Sequence, residues 1–152
     1  MKITKKLLKE LQDFAQDVSY EAGEILLKYQ KKRHELKISC KGSEGIASEA
    51  DQASEDYILK SITENYPKHT ILSEEDFSNN KKVTYKKAEE SEFCWVIDPL
   101  DGTNNFVNGI PIYAVSIALL NKGKPIVGVV YNPTSGECFF ASKGQGAYLI
   151  DF

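Results

Sequence analysis

The feature that most constrains this chain is an apolar run, Phe93 to Ile97, that ends abruptly in Asp98-Pro99-Leu100-Asp101-Gly102-Thr103. The run reads as a short buried strand. Pro99 fixes its own φ and has no N–H to give a ladder, so the strand is expected to stop there. Gly102 permits a positive φ or a close backbone approach, as a tight turn around a small anion needs. Thr103 is a candidate N-cap for a following helical turn, whose unpaired amides would face the same point in space. Two carboxylates, exposed amides and a hydroxyl at a strand end suit a divalent cation and a phosphate. Hard cations such as Mg²⁺ take oxygen ligands and commonly bridge to phosphate.

The rest of the chain supplies layers around that stretch. Leu7, Leu8, Leu11, Phe14, Ala15, Val18, Ala22, Ile25, Leu26 and Tyr29 recur at steps of three and four, the face of a long amphipathic helix over about residues 3–31. Residues 34–46 read as an extended connection, with Lys37-Ile38-Ser39-Cys40 as a short strand candidate. Lys41-Gly42-Ser43-Glu44-Gly45 is flexible by composition. It is either a surface loop or one that closes over a polyanionic site with Lys41 as a point charge. A second helix is expected from Ser48 to about Tyr66, with Ile58, Leu59 and Ile62 as its apolar face. Asp51 in its first turn has two readings: a charge favourable near the helix dipole, or a site residue.

Thr70-Ile71-Leu72 reads as a second short strand, ending in Ser73-Glu74-Glu75-Asp76. Adjacent acids are usually a solvated loop. Here, however, two strands end in acids, and strands that neighbour each other in a sheet would bring Glu74 beside Asp98. Like charges that close are costly unless a cation sits between them. Residues 76–92 are polar and lysine-rich and read as an exposed insertion rather than a helix. After the central stretch the chain turns β: Tyr113–Leu120, Pro125–Tyr131, Glu137–Ala141 and Ala147–Ile150, separated by Gly-, Asn- and Pro-containing turns. The expected fold class is α+β, with two long helices packed on an antiparallel sheet.

Composition narrows the function classes. The 152 residues can bury a core, and a net charge of −3 gives no reason to invoke nucleic acid or an anionic membrane. No apolar run nears the roughly 20 residues a membrane span needs. Cys40, Cys94 and Cys138 are odd in number and widely spaced, which fits reduced thiols in a cytoplasmic protein better than a disulfide framework.

Asp98-Pro99-Leu100-Asp101-Gly102-Thr103, preceded by Ile71-Leu72-Ser73-Glu74-Glu75-Asp76 and Ser48-Glu49-Ala50-Asp51, resembles the inositol monophosphatase family of lithium-sensitive, Mg²⁺-dependent phosphatases. The resemblance continues through Asn105-Phe106, Gly109-Ile110-Pro111, Val115-Ser116-Ile117-Ala118, Gly128-Val129-Val130-Tyr131-Asn132-Pro133 and Ala141-Ser142-Lys143-Gly144-Gln145-Gly146-Ala147. It implies that Glu74, Asp98 and the Leu100 carbonyl hold a first Mg²⁺, with Asp98 and Asp101 contributing to a second. Family sites take two or three ions. Glu74, Asp101 and the amides of Gly102 and Thr103 would meet the substrate. Thr103, with Asp51 accepting its proton, would orient or activate the attacking water, and Glu75 would act as a supporting carboxylate. The implied substrate is a small phosphorylated polyol or sugar, and the resemblance also allows a homodimer.

Family members are longer and carry a second α/β half, whose Trp-Asp-x-Ala-like motif completes the second metal site. The one tryptophan here is Trp95. Residues 1–152 therefore read as the N-terminal α+β domain of such a protein, with impaired turnover expected. The alternative is a metal- or phosphate-binding fragment without turnover. A haloacid-dehalogenase-type Asp-x-Asp-Gly-Thr reading fits worse, because Asp98 and Asp101 are three apart and the upstream acids go unexplained.

Overall fold

The structure, a computed structural model, describes residues 3–35 and 40–151, excluding the side chains of 33–44 and 74–80. In chain order the elements are α1 (Lys5–Glu35), α2 (Cys40–Asn65), β1 (Thr70–Leu72), α3 (Glu74–Glu90), β2 (Cys94–Asp101), α4 (Thr103–Asn108), β3 (Ala114–Asn121), β4 (Lys124–Asn132), β5 (Glu137–Ser142) and β6 (Ala147–Ile150). The strands form one six-stranded sheet in sequential order. β1 and β2 run parallel, and every later neighbour pair is antiparallel. The α+β class stands, with the sheet mixed rather than wholly antiparallel. A parallel pair needs a long crossover, and α3 is that crossover.

The core lies between the sheet and the α1–α2 pair. From α1 come Leu8, Leu11, Ala15, Val18, Ala22 and Leu26; from α2 come Ala47, Ala50, Ile58 and Ile62. They meet Trp95, Ile97, Val115, Ile117, Leu119, Val127 and Val129, the inward alternates of β2, β3 and β4. Gly23 lets α1 approach the sheet closely, since a Cβ there would sit 2.6 Å from the Tyr131 ring. The opposite face carries Val130, Phe139 and Leu149, which remain 42–50% exposed.

Two expectations about elements give way. Residues 40–46, expected as loop, belong to α2. Helix formation there continues a helix already anchored by Ala47 and Ala50 against the core, and packing overrides the glycines. Of Lys37–Cys40, expected as a short strand, residues 37–39 lie outside the described residues and Cys40 opens α2. Residues 76–92 are mostly helical. In its described portion, residues 81–90, α3 buries only Thr84 and Ala88, the latter packed on Leu72, Cys94 and Leu120, while Val83 and Tyr85 stay exposed. Among the described residues no helix is long and apolar enough to cross a membrane. Cys94 and Cys138 are buried thiols outside any disulfide.

Candidate metal and phosphate site

The parallel register of β1 on β2 assembles the candidate site. Leu72 pairs with Val96, so the chain two residues beyond each partner is Glu74 on one side and Asp98 on the other. Period-two alternation along β2 puts Asp98 on the same face as Val96, while the chain beyond Leu72 turns into α3 at Glu74. The inference that two acid-terminated strands are neighbours is thus realised in the backbone. Glu74 and Glu75 open α3, and their side chains lie outside the described residues.

β2 does not stop at Pro99. Asp98 pairs with Ser116 and Asp101 with Ala114, so three residues of β2 span a two-residue step on β3. That irregularity is a bulge, where a residue without an N–H costs no ladder bond. Pro99 therefore reshapes the strand rather than ending it. The bulge leaves Asp98 half-buried, sinks the Leu100 side chain into the core at 2% exposure, and presents Asp101 to solvent. A core-anchored Leu100 side chain fixes where its carbonyl points.

Gly102 follows with φ 87° and ψ 36° and is itself the N-cap of α4. Thr103, expected as the cap, is instead the first helical residue, because the left-handed turn at Gly102 already reverses the chain. Its hydroxyl donates to Leu100 O at 3.1 Å. A Cβ at position 102 would lie 3.0 Å from Ile112 O, so the glycine is required by both conformation and space. Asn105, which composition did not single out, donates from Nδ2 to Ile112 O at 2.6 Å and fastens α4 to the segment leading into β3.

Asp51 is not in a helix's first turn, since α2 begins at Cys40; the dipole explanation for it therefore fails. It is half-buried, and Ser54 lies three residues on, along the same helix face. The buried Ser54 hydroxyl donates to Pro99 O at 2.9 Å. That bond ties α2 to the bulge and brings Asp51's turn of the helix to the Asp98–Thr103 loop. Ser54 was not legible as a site-building residue; its only signal was a small polar residue on an otherwise buried face. Lys41 is placed in α2 by its backbone, and its side chain lies outside the described residues.

Among the described side chains no three Asp, Glu, His or Cys groups converge on a point. The donor set nevertheless fits a hard divalent cation. Asp98, the Leu100 carbonyl and Asp101 are all oxygen donors on one bulge, and the Glu74 backbone is adjacent. Sulfur and imidazole are absent from the described loop residues 98–103. A cavity of about 250 Å³ lined by Asp101, Gly102, Asn105, Tyr113 and Asn132 opens beside the loop. A larger groove of about 800 Å³ runs between α1 and β5–β6, away from these carboxylates.

Comparison with known proteins agrees with this geometry. Residues 7–151 match the model of the inositol monophosphatase family. The chain is 41% identical over 130 residues to the Nus factor SuhB of Pasteurella multocida, covering 86% of this chain and 46% of that protein. It is 39% identical over 140 residues to inositol monophosphatase 3 of Solanum lycopersicum, covering 90% and 49% respectively. Among solved structures, inositol monophosphatase II of Staphylococcus aureus superposes with a TM-score of 0.75 at 31% identity, over 92% of this chain and 48% of that one. The inositol monophosphatase of Anabaena does so with a TM-score of 0.72 at 33% identity, over 93% and 46%. The chain spans about half the length of the curated relatives it matches. From acid-terminated parallel strands to the left-handed glycine, the chain belongs to the inositol monophosphatase family.

Proposed function

We propose that this chain forms the cation- and phosphate-binding half of a Mg²⁺-dependent phosphomonoesterase acting on inositol monophosphate or a related small sugar phosphate. One observation supports the reading: β1 and β2 are parallel neighbours whose ends lead into Glu74 and Asp98, with the Leu100 carbonyl and Asp101 further along the same bulge. Glu74, Asp98 and Leu100 O would hold one ion, and Asp98 with Asp101 would share a second. When bound, Mg²⁺ lowers the pKa of coordinated water and neutralises charge on the phosphoryl oxygens. The chain's own residues orient the reaction. The amides of Gly102 and Thr103, at the unpaired start of α4, donate to the phosphate. The Thr103 hydroxyl has a single proton, held toward Leu100 O here. To orient water it turns from that carbonyl and passes its donor bond to Asp51. Glu75 supports the ligand carboxylates.

In this reading residues 1–152 are the N-terminal domain, and a second half supplies the remaining second-site ligand and most substrate contacts. The half-length match to relatives favours a second outcome for the isolated chain: Mg²⁺ and phosphate binding with little turnover. Calorimetric Mg²⁺ titration and phosphate release from inositol 1-phosphate test both. Mg²⁺ binding that is lost in Asp98→Asn is the expected result, with slow or no phosphate release. Equal Mg²⁺ affinity in wild type and Asp98→Asn would sink the cation site.

A further inference from the structure

His69 occupies the corner between α2 and β1, at the opposite end of β2 from the carboxylates. Its ring is stacked between Tyr66, at 4.9 Å and 15°, and Phe93, at 4.8 Å and 25°. Trp95 Nε1 lies 3.1 Å from His69 Nδ1. An indole N–H can only donate, so Nδ1 must accept; the imidazole is neutral with its proton on Nε2. The bond joins the residue before β1 to the middle of the buried part of β2. Two further bonds close the same corner: Thr70 N–H donates to Phe93 O at 3.0 Å, and the Thr70 and Ser91 hydroxyls are 2.8 Å apart. β1 is only three residues long and sits at the sheet edge, so side-chain bonds carry much of what holds it in register.

We propose that neutral His69 is a latch: the bond it accepts from Trp95 holds β1 in register on β2, and protonation at Nδ1 releases β1 together with the strand end that leads to Glu74. The consequence for Glu74 rests on the cation-site reading above; the latch does not. A protonated Nδ1 would face the indole N–H donor to donor, leaving a buried Trp N–H without an acceptor. Opposing forces are present. The Tyr66 and Phe93 faces attract an imidazolium, and the Glu92 carboxylate favours the charged form. Lys122 lies near Glu92 and counters it, and Glu10 faces Tyr66 from α1. Burial outweighs Glu92 and lowers the His69 pKa below its ordinary 6.5. The unfolded chain then binds this proton more readily than the folded one. The stability owed to the latch is complete above about pH 6.5 and is lost as pH falls from there toward the lowered folded value.

Trp95 is the chain's one tryptophan and His69 one of two histidines, so both partners can be read directly. The test tracks Trp95 fluorescence, imidazole ¹⁵N shifts and amide protection of Thr70 and Leu72, the two β1 amides that face β2, in the full chain from pH 8 to 5. In wild type, His69 should show the Nε2–H tautomer at pH 8. Trp95 emission should drop with a midpoint below 6.5, and protection at Thr70 and Leu72 should fall about tenfold with that same midpoint. His69→Asn, whose Oδ1 can replace Nδ1 as a non-titrating acceptor, should keep the high-pH emission and lose the transition. His69→Ala should lack protection at every pH. A Nδ1–H tautomer at pH 8, a His69 midpoint at or above 6.5, or an unchanged transition in His69→Asn would overturn the latch. The wild-type ring shifts decide the matter even if a variant fails to fold. Mg²⁺ titration at pH 8 separates the two readings: no Mg²⁺ binding beside an intact fluorescence transition removes the cation site and leaves the latch standing.

Discussion

The two halves of β2 meet opposite demands. Cys94–Ile97 is regular, paired with β3 throughout and with β1 as far as Val96, and presents Trp95 and Ile97 at 0% and 2% exposure to the helices. Asp98–Asp101 is bulged, contains a proline, and alternates a core-anchored Leu100 with carboxylates that are half-buried or exposed. The first half draws its stability from apolar burial. The second is held from outside, by Ser54 on α2, by Leu100 in the core and by Gly102 at the turn. Apolar stability and the proposed cation site are thus separated by one bulge, and the regular half serves as the rigid base from which the irregular half is presented.

Substitutions can break this division, starting with the largest effect. Trp95→Ala removes the most voluminous fully buried side chain and should cost about 3–5 kcal/mol in urea unfolding, collapsing both halves together. A loss under about 1 kcal/mol would mean that β2 is not the base of the fold. Gly102→Ala must place a Cβ against Ile112 O in a left-handed conformation, costing about 1–3 kcal/mol. That loss should be accompanied by weakened phosphate binding, whereas full retention of both would show that the turn can relax. Ser54→Ala leaves the buried Pro99 carbonyl without its donor, for about 1–3 kcal/mol. Here Mg²⁺ affinity is expected to drop as well, because the bulge loses its tie to α2. A Ser54→Thr variant that preserves the hydroxyl should recover most of the affinity if that tie is what matters.

The smallest effect on folding should come from the residue at the centre of the proposed cation site. In EDTA, Asp98→Asn is expected to shift unfolding by less than about 1 kcal/mol while weakening Mg²⁺ binding at least about tenfold. The comparison sharpens if stability and affinity separate in this way. A large stability loss in metal-free Asp98→Asn would instead make the bulge part of the core.

Much of this was legible from residue pattern. Three- and four-residue periodicity located α1, and alternation with turn residues located β3 to β6, since each element there buries one continuous face and leaves the period intact. The acids at the ends of two strands pointed to the candidate site, because carboxylates gathered at neighbouring strand ends would repel one another without a cation between them. The unreadable parts are those with weak local signals. α3 packs with only Thr84 and Ala88 buried in its described portion, too few to leave a period. The first turns of α2 are glycine-rich and stabilised by the core-anchored turns C-terminal to them, beginning at Ala47. Chemistry at positions 98, 101 and 102 came from residue type alone: carboxylates, and a glycine where a left-handed turn was needed. Tertiary structure alone decided that β2 runs through Pro99 as a bulge, that Ser54 reaches Pro99 across 45 positions of chain, and that His69 accepts from Trp95. Those features depend on which distant backbone lies within about 3 Å, a matter of register between elements that no local pattern encodes.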